Sequence, residues 1–115
     1  MLHKLISYLF NRTELLKTLG IPRSSKWRGV RVEFLKNNPS CAVCGSKENV
    51  VPHHKVPFHA DPSLELEPSN LIALCENKSF NCHFFFGHLK SWVDCNPRVE
   101  EDAVYWRSRL FEKKF

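Results

Sequence analysis

At 115 residues the chain is one domain's length, and its 43% hydrophobic and 25% charged residues are those of a globular protein, not a disordered or fibrous one. No apolar run reaches the roughly 20 residues that cross a bilayer, and the apolar start, MLHKLISYLF, meets Asn11, Arg12 and Glu14 where a signal-peptide cleavage site would fall. A single cytoplasmic domain is expected, without a membrane partner. The formal charge of +5 implies a polyanionic partner and sits in the first 40 residues, where Lys4, Arg12, Lys17, Arg23, Lys26, Arg28, Arg31 and Lys36 face only Glu14 and Glu33.

Leu5, Ile6, Leu9, Leu15, Leu16 and Leu19 fall at helical spacing, with Asn11 a point of interruption, and Gly20 with Pro22 stops the run. Ser24 or Ser25 caps a second helix to about Asn37, with Trp27, Val30, Phe34 and Leu35 inward and Arg28, Arg31 and Lys36 outward. Pro39 precedes Cys41-Ala-Val-Cys44-Gly45. The two-residue gap lets both thiolates of a tight turn face one Zn²⁺, and Gly45 supplies the positive φ such a turn needs.

Val50 to His54 is a short β-branched strand, residues 57–68 are a loop rich in Pro, Ser and acids, and Leu71 to Leu74 is a second strand. The aromatic run from about Asn81 to Val93 predicts a helix. The last element is a helix opened by Asn96 and Pro97, with Glu100, Glu101 and Asp102 near its start and Lys113 and Lys114 near its end, as the helix dipole prefers. Its stripe Val99, Ala103, Trp106 and Leu110 is expected in the core.

Five cysteines in a reducing compartment favour metal ligation over disulfides. Cys75 and Cys82 lie six residues apart, a wider gap than usual, but with Cys41 and Cys44 they complete a Cys₄ set for one structural Zn²⁺. Cys95 is left over as an ordinary free thiol. His3 and His59 carry no assigned role, although His59 lies close enough in sequence to touch a substrate.

Taken together, Cys41-x-x-Cys44, His53-His54-Lys55-Val56-Pro57, Asn70-Leu71-Ile72-Ala73-Leu74-Cys75 and Cys82-His83 resemble the HNH endonucleases with a ββα-metal fold and a zinc knuckle. The resemblance covers residues 41 to about 90, and phage and mobile-element proteins of this size are similar. It implies an α+β fold: a ββα-metal HNH core with its zinc knuckle over residues 41–93, a basic helical extension before it (1–40) and a C-terminal helix after it (94–115).

The resemblance also implies roles. His54 would be the general base, suited to it by an imidazole pKa near neutrality. His53 and His83 would be ligands of one catalytic divalent ion such as Mg²⁺ or Mn²⁺, distinct from the zinc. Asn70 would hold the loop so that a hydrogen bond fixes the His54 ring and its tautomer. His88 joins the metal set only if the helix is distorted near Gly87, because five residues turn about 140° on a regular helix. His53 and His54, as strand neighbours, should point to opposite faces, a difficulty that a twist, bulge or bend would remove. Asp61, Glu65 and Glu67 lie between the His pair and Asn70 and would repel a phosphate unless turned away.

The expected activity is metal-dependent hydrolysis of DNA, by nicking or double-strand cleavage, leaving 5′-phosphate and 3′-hydroxyl ends. Arg23, Lys26, Arg28, Arg31 and Lys55 are the expected phosphate contacts. Two other readings stand beside it: a zinc-stabilised nucleic-acid-binding module without cleavage, and a nuclease subunit active only within a larger complex docked through the N-terminal helices.

Overall fold

The computed structural model describes residues 22–92 and 94–111, so the helix expected over residues 3 to 19 lies outside the described residues. It is a small α+β domain around a two-stranded antiparallel sheet. Helix α1 (Trp27–Asn37) comes first, as the apolar spacing predicts. Ser24 closes its first turn, accepting from Lys26 N through Oγ at 3.1 Å and from Trp27 N through its carbonyl at 3.3 Å.

Strands β1 (Val50–His54) and β2 (Leu71–Cys75) pair in an unbroken register, with His53 opposite Ile72 and His54 opposite Leu71. Pro52 is tolerated because, among the described residues, β1 pairs on one edge only. Every residue of β2 is buried. Alternation along it explains most of this: Leu71 and Ala73 pack with Phe34 and its α1 neighbours, whereas Ile72 and Leu74 pack with Cys41, Val43, Cys82, Val99 and Ala103, a cluster that Cys75 joins from the end of the strand. The sheet is thus filled on both sides, by α1 on one and by the cysteine loops and the C-terminal helix on the other.

The connection between the strands is an irregular loop with two short 3₁₀ turns, Pro62–Leu64 and Pro68–Asn70. Asp61 caps the first, accepting from Ser63 N at 3.1 Å.

Two helix expectations are corrected. The aromatic segment forms a single π-helical turn, His83–Gly87, instead of a helix to Val93. Leu89 and Lys90, at φ +53° and +65°, turn the chain out of it. The last helix, α2 (Val99–Trp106), starts after Arg98 and continues as a π-turn, Arg107–Phe111. Asn96, fully buried, accepts from Arg98 N as a cap does, and its amide also donates to Phe86 O and Asp102 Oδ2. Val99 and Ala103 are in the core as expected, but Trp106 and Leu110 are exposed, because only the first turns of α2 reach the sheet. No helix among the described residues is long and apolar enough to cross a membrane.

Candidate functional site

Cys41 and Cys44 come from the loop before β1, Cys75 from the end of β2 and Cys82 from the start of the π-turn, and their sulfurs all lie within 4.8 Å of one another. None is in a disulfide. The Cys44 and Cys75 sulfurs are 3.6 Å apart, close to the roughly 3.8 Å edge of a tetrahedron built on Zn–S bonds of about 2.3 Å. Gly45 has φ +79°, the left-handed turn the sequence required. Val43 N and Cys44 N both donate to Cys41 Sγ, at 3.4 and 3.5 Å.

The thiols cannot all ionise unaided. The Cys82 thiol's hydrogen bond, opposed by burial and helped by the backbone N–H groups, holds Cys41 down to about 4. Burial pushes Cys44 up to about 11, and the Cys41 contact together with burial drives Cys82 upward. A dication among the four is what allows four thiolates to coexist. The six-residue loop from Cys75 to Cys82 is long enough to bring the second pair onto the first.

A second group lies beside β1. His53, His83 and His88 present ring nitrogens within 4.8 Å of one another. His83 Nε2 is 3.1 Å from His53 Nδ1 and 3.1 Å from His88 Nε2. The outer nitrogens decide the tautomers: His88 Nδ1–H donates to the Asp94 carbonyl at 2.7 Å, and His83 Nδ1–H donates to the Glu76 carboxylate at 2.7 Å. Two bare Nε2 lone pairs therefore face each other with no proton to share. His53 is buried, and its Nε2 has no hydrogen-bond partner. Three ring nitrogens within 4.8 Å of one another, two of the separations close to the roughly 3.3 Å edge of a tetrahedral Zn–N site, fit a metal ion, with His53 presenting Nδ1 to it. Burial and the neighbouring imidazoles keep His53 and His88 below the ordinary histidine pKa, so the unprotonated, ligating form is favoured.

The π-turn is what admits His88. Its wider turn closes a bond from His88 N to His83 O at 3.1 Å, so the fifth residue returns above the first instead of lying 140° away. Gly87 makes the approach possible: a Cβ there would meet His53 Cε1 at 3.0 Å and Nδ1 at 3.1 Å.

His53 and His54 do point to opposite faces, and no bulge is involved. His53 shares a face with its cross-strand partner Ile72, toward the π-turn, and His54 shares a face with Leu71, toward α1. Both nevertheless line one cleft of about 430 Å³ with Val51, Pro52, Arg31 and Trp92. The cleft runs along the open edge of β1, from which both faces are reached.

The His54 ring lies on Trp27, centroids 4.6 Å apart, and its Nε2–H donates to the Glu65 carbonyl at 2.9 Å. That bond leaves Nδ1 as the basic nitrogen. Burial holds the His54 pKa below its ordinary value, against the pull of the Glu65 carbonyl.

Asn70 does not touch the His54 ring itself and reaches it through the loop whose Glu65 carbonyl bonds that ring. Its amide accepts from Val56 N at 2.9 Å and donates to Val56 O at 3.0 Å and Leu64 O at 3.2 Å, tying together the two ends of the loop that carries Glu65. Lys55 is displaced from its expected role: its ammonium pairs with Glu100 at 2.6 Å, away from the cleft. Arg23 and Arg31 line the cleft, while Lys26 and Arg28 are exposed on or beside α1. Glu65 is buried and paired with Arg23 instead of facing a ligand.

Glu76, Asp94, Trp27 and Trp92 belong to the site and were not singled out for it from sequence. Trp92 covers the cluster, with its ring 5.2 Å from His83 and 4.9 Å from His88. A carboxylate seven residues before the expected ligand His83 is a signal that could have exposed Glu76. Cys95 also lines the cleft, its Sγ donating to Lys55 O at 3.3 Å, and burial pushes its thiol up to about 12.

The described residues thus define a small α+β domain with two separate side-chain clusters, each able to hold one metal ion. Neither a family model, a curated protein nor a solved structure matches the chain.

Proposed function

We propose that this protein is a metal-dependent HNH-type endonuclease hydrolysing DNA phosphodiester bonds, with the four cysteines holding a structural Zn²⁺. The observation that carries the reading is one cleft containing both a three-imidazole metal site and, on the next residue, a histidine with its tautomer fixed and its other nitrogen free. The strand pair followed by the helical turn bearing His83 supplies the ββα order of that family.

His53, His83 and His88 would hold the catalytic ion, which when bound supplies Lewis-acid stabilisation of the scissile phosphate and its leaving oxygen. Three imidazoles suit Zn²⁺, Ni²⁺ or Fe²⁺ better than Mg²⁺, whose preferred ligands are oxygens, so the donor set narrows the metals expected from sequence. The Nδ1 of His54 takes the proton of the attacking water. The new P–O bond forms as the bond to the 3′-oxygen breaks, leaving a 5′-phosphate and, once that oxygen is protonated, a 3′-hydroxyl. Glu76 and Asp94 O orient two of the ligands. Arg31, with Arg28 and Lys26 beside it, positions the backbone without reading sequence.

The test is incubation of supercoiled plasmid with purified protein and Zn²⁺, Ni²⁺, Mn²⁺, Mg²⁺ or EDTA. Metal-dependent nicking abolished in His54→Ala supports the reading. No nicking with any of these ions, or parental activity in His54→Ala, refutes it and leaves the binding-module reading.

A further inference from the structure

The loop carbonyl that fixes His54 is itself held by an ion pair between a buried carboxylate and a half-exposed guanidinium. Glu65 has its carboxylate buried at 4% exposure; Oε2 accepts from Arg23 Nε at 2.8 Å and Oε1 from Ser24 N at 3.0 Å. The same residue's carbonyl accepts the His54 Nε2–H. The peptide on the other side of Glu65 is tied down as well, since Leu64 O accepts from Asn70 and Glu65 N donates to Pro62 O at 3.2 Å. Arg23 is held in turn over the Phe58 ring, its guanidinium carbon 4.5 Å from the centroid. Residues of the segment before α1 therefore grip the loop between the strands at the residue whose carbonyl bonds the candidate base.

We infer that Glu65 and Arg23 are positioning residues for His54: their ion pair sets the Glu65 carbonyl, which selects the Nε2–H tautomer and leaves Nδ1 facing the cleft. Arg23 is then a clamp, not one of the phosphate contacts. Its guanidinium is engaged by the buried carboxylate and the Phe58 face, and a carboxylate released from it would be left buried and uncompensated. A mere packing role would not require the carbonyl of the paired residue to meet the imidazole. The catalytic part of this inference rests on the nuclease reading; the tautomer part does not.

The test has two arms. Long-range ¹H–¹⁵N spectra of the zinc-loaded protein read the His54 tautomer directly. The parent should show Nε2–H alone, and Glu65→Gln, which keeps the side-chain volume, and Arg23→Gln, which removes the charge, should show a mixture; Glu65→Ala should do the same if it folds. In the second arm, plasmid nicking by Arg23→Gln should fall about tenfold to a hundredfold in kcat with little change in KM, the range seen when a group orienting a functional histidine is removed. Adding Arg23→Gln to His54→Ala should cost nothing further, because the two act through one group. An unchanged tautomer in both Gln variants overturns the inference whatever the nuclease result. An unaltered kcat with raised KM would instead make Arg23 a phosphate contact. A tautomer shift in a protein whose parent never nicks DNA upholds the clamp and sinks the nuclease reading alone.

Discussion

The Nε2 atoms of His83 and His88 lie 3.1 Å apart, and each ring has already given its Nδ1 proton to an acceptor, Glu76 in one case and the Asp94 carbonyl in the other. Two lone pairs at that distance repel unless a cation lies between them. His88→Ala should therefore weaken divalent binding at this site by more than Glu76→Gln, and the latter should cost about tenfold to a hundredfold by loosening the His83 ring. Titration of the zinc-loaded protein with Ni²⁺ or Zn²⁺ against a chelator measures both.

Gly87 should not tolerate even a methyl group. A Cβ would press on the His53 ring at 3.0 Å, and that ring is buried, so it cannot swing clear. Gly87→Ala should reduce second-site metal affinity while leaving the Cys₄ zinc in place, as metal analysis before and after dialysis against a weak chelator will show.

The cysteine site should behave as part of the fold. Zinc in comparable small sites contributes about 10–16 kcal/mol of apparent binding energy at neutral pH. Cys41→Ser, Cys75→Ser or a strong chelator should unfold the domain, observed as loss of circular dichroism signal. Cys95→Ser should retain full zinc content, because Cys95 stands outside the four-sulfur cluster.

Glu65 ties stability to pH. Burial raises its pKa, but the Arg23 hydrogen bond, the Ser24 N–H and the Arg23 charge outweigh it and bring the folded value below that of an ordinary glutamate. A depressed carboxylate stabilises the fold above its unfolded pKa of about 4.3, and this contribution is lost as pH falls through the folded value. Glu65→Gln should be less stable than the parent near neutrality, and the gap should close below about pH 4. Denaturant curves of the two proteins across that range test it.

Lys55 and Arg31 should separate in DNA binding. Lys55 is occupied by Glu100 outside the cleft, while Arg31 lines it. Arg31→Ala should weaken binding at all sequences and lower the salt slope by about one, and Lys55→Ala should do neither. Fluorescence anisotropy at several salt concentrations distinguishes them.

The chain by itself determined the two strands, helix α1, the four cysteines and the identity of the histidine candidates, because these depend on local periodicity and on ligand chemistry. It also fixed the Gly45 turn. Tertiary structure decided what local rules could not reach. Trp106 and Leu110 carry a core-like spacing but extend past the sheet, and the described residues leave them exposed. Asn96 caps the turn into α2 with its amide oxygen, but that its amide nitrogen joins Phe86 to Asp102 is visible only in the fold. His88 looked misplaced by a regular turn and is brought to His83 by a π-turn that sequence periodicity does not announce. Asn70 and Lys55 find partners far along the chain, and Glu65, an apparent liability, becomes a buried anchor once Arg23 meets it across 42 positions. Spacing along a chain fixes which groups are neighbours on one element; only packing of one element on another fixes which lone pairs and charges meet.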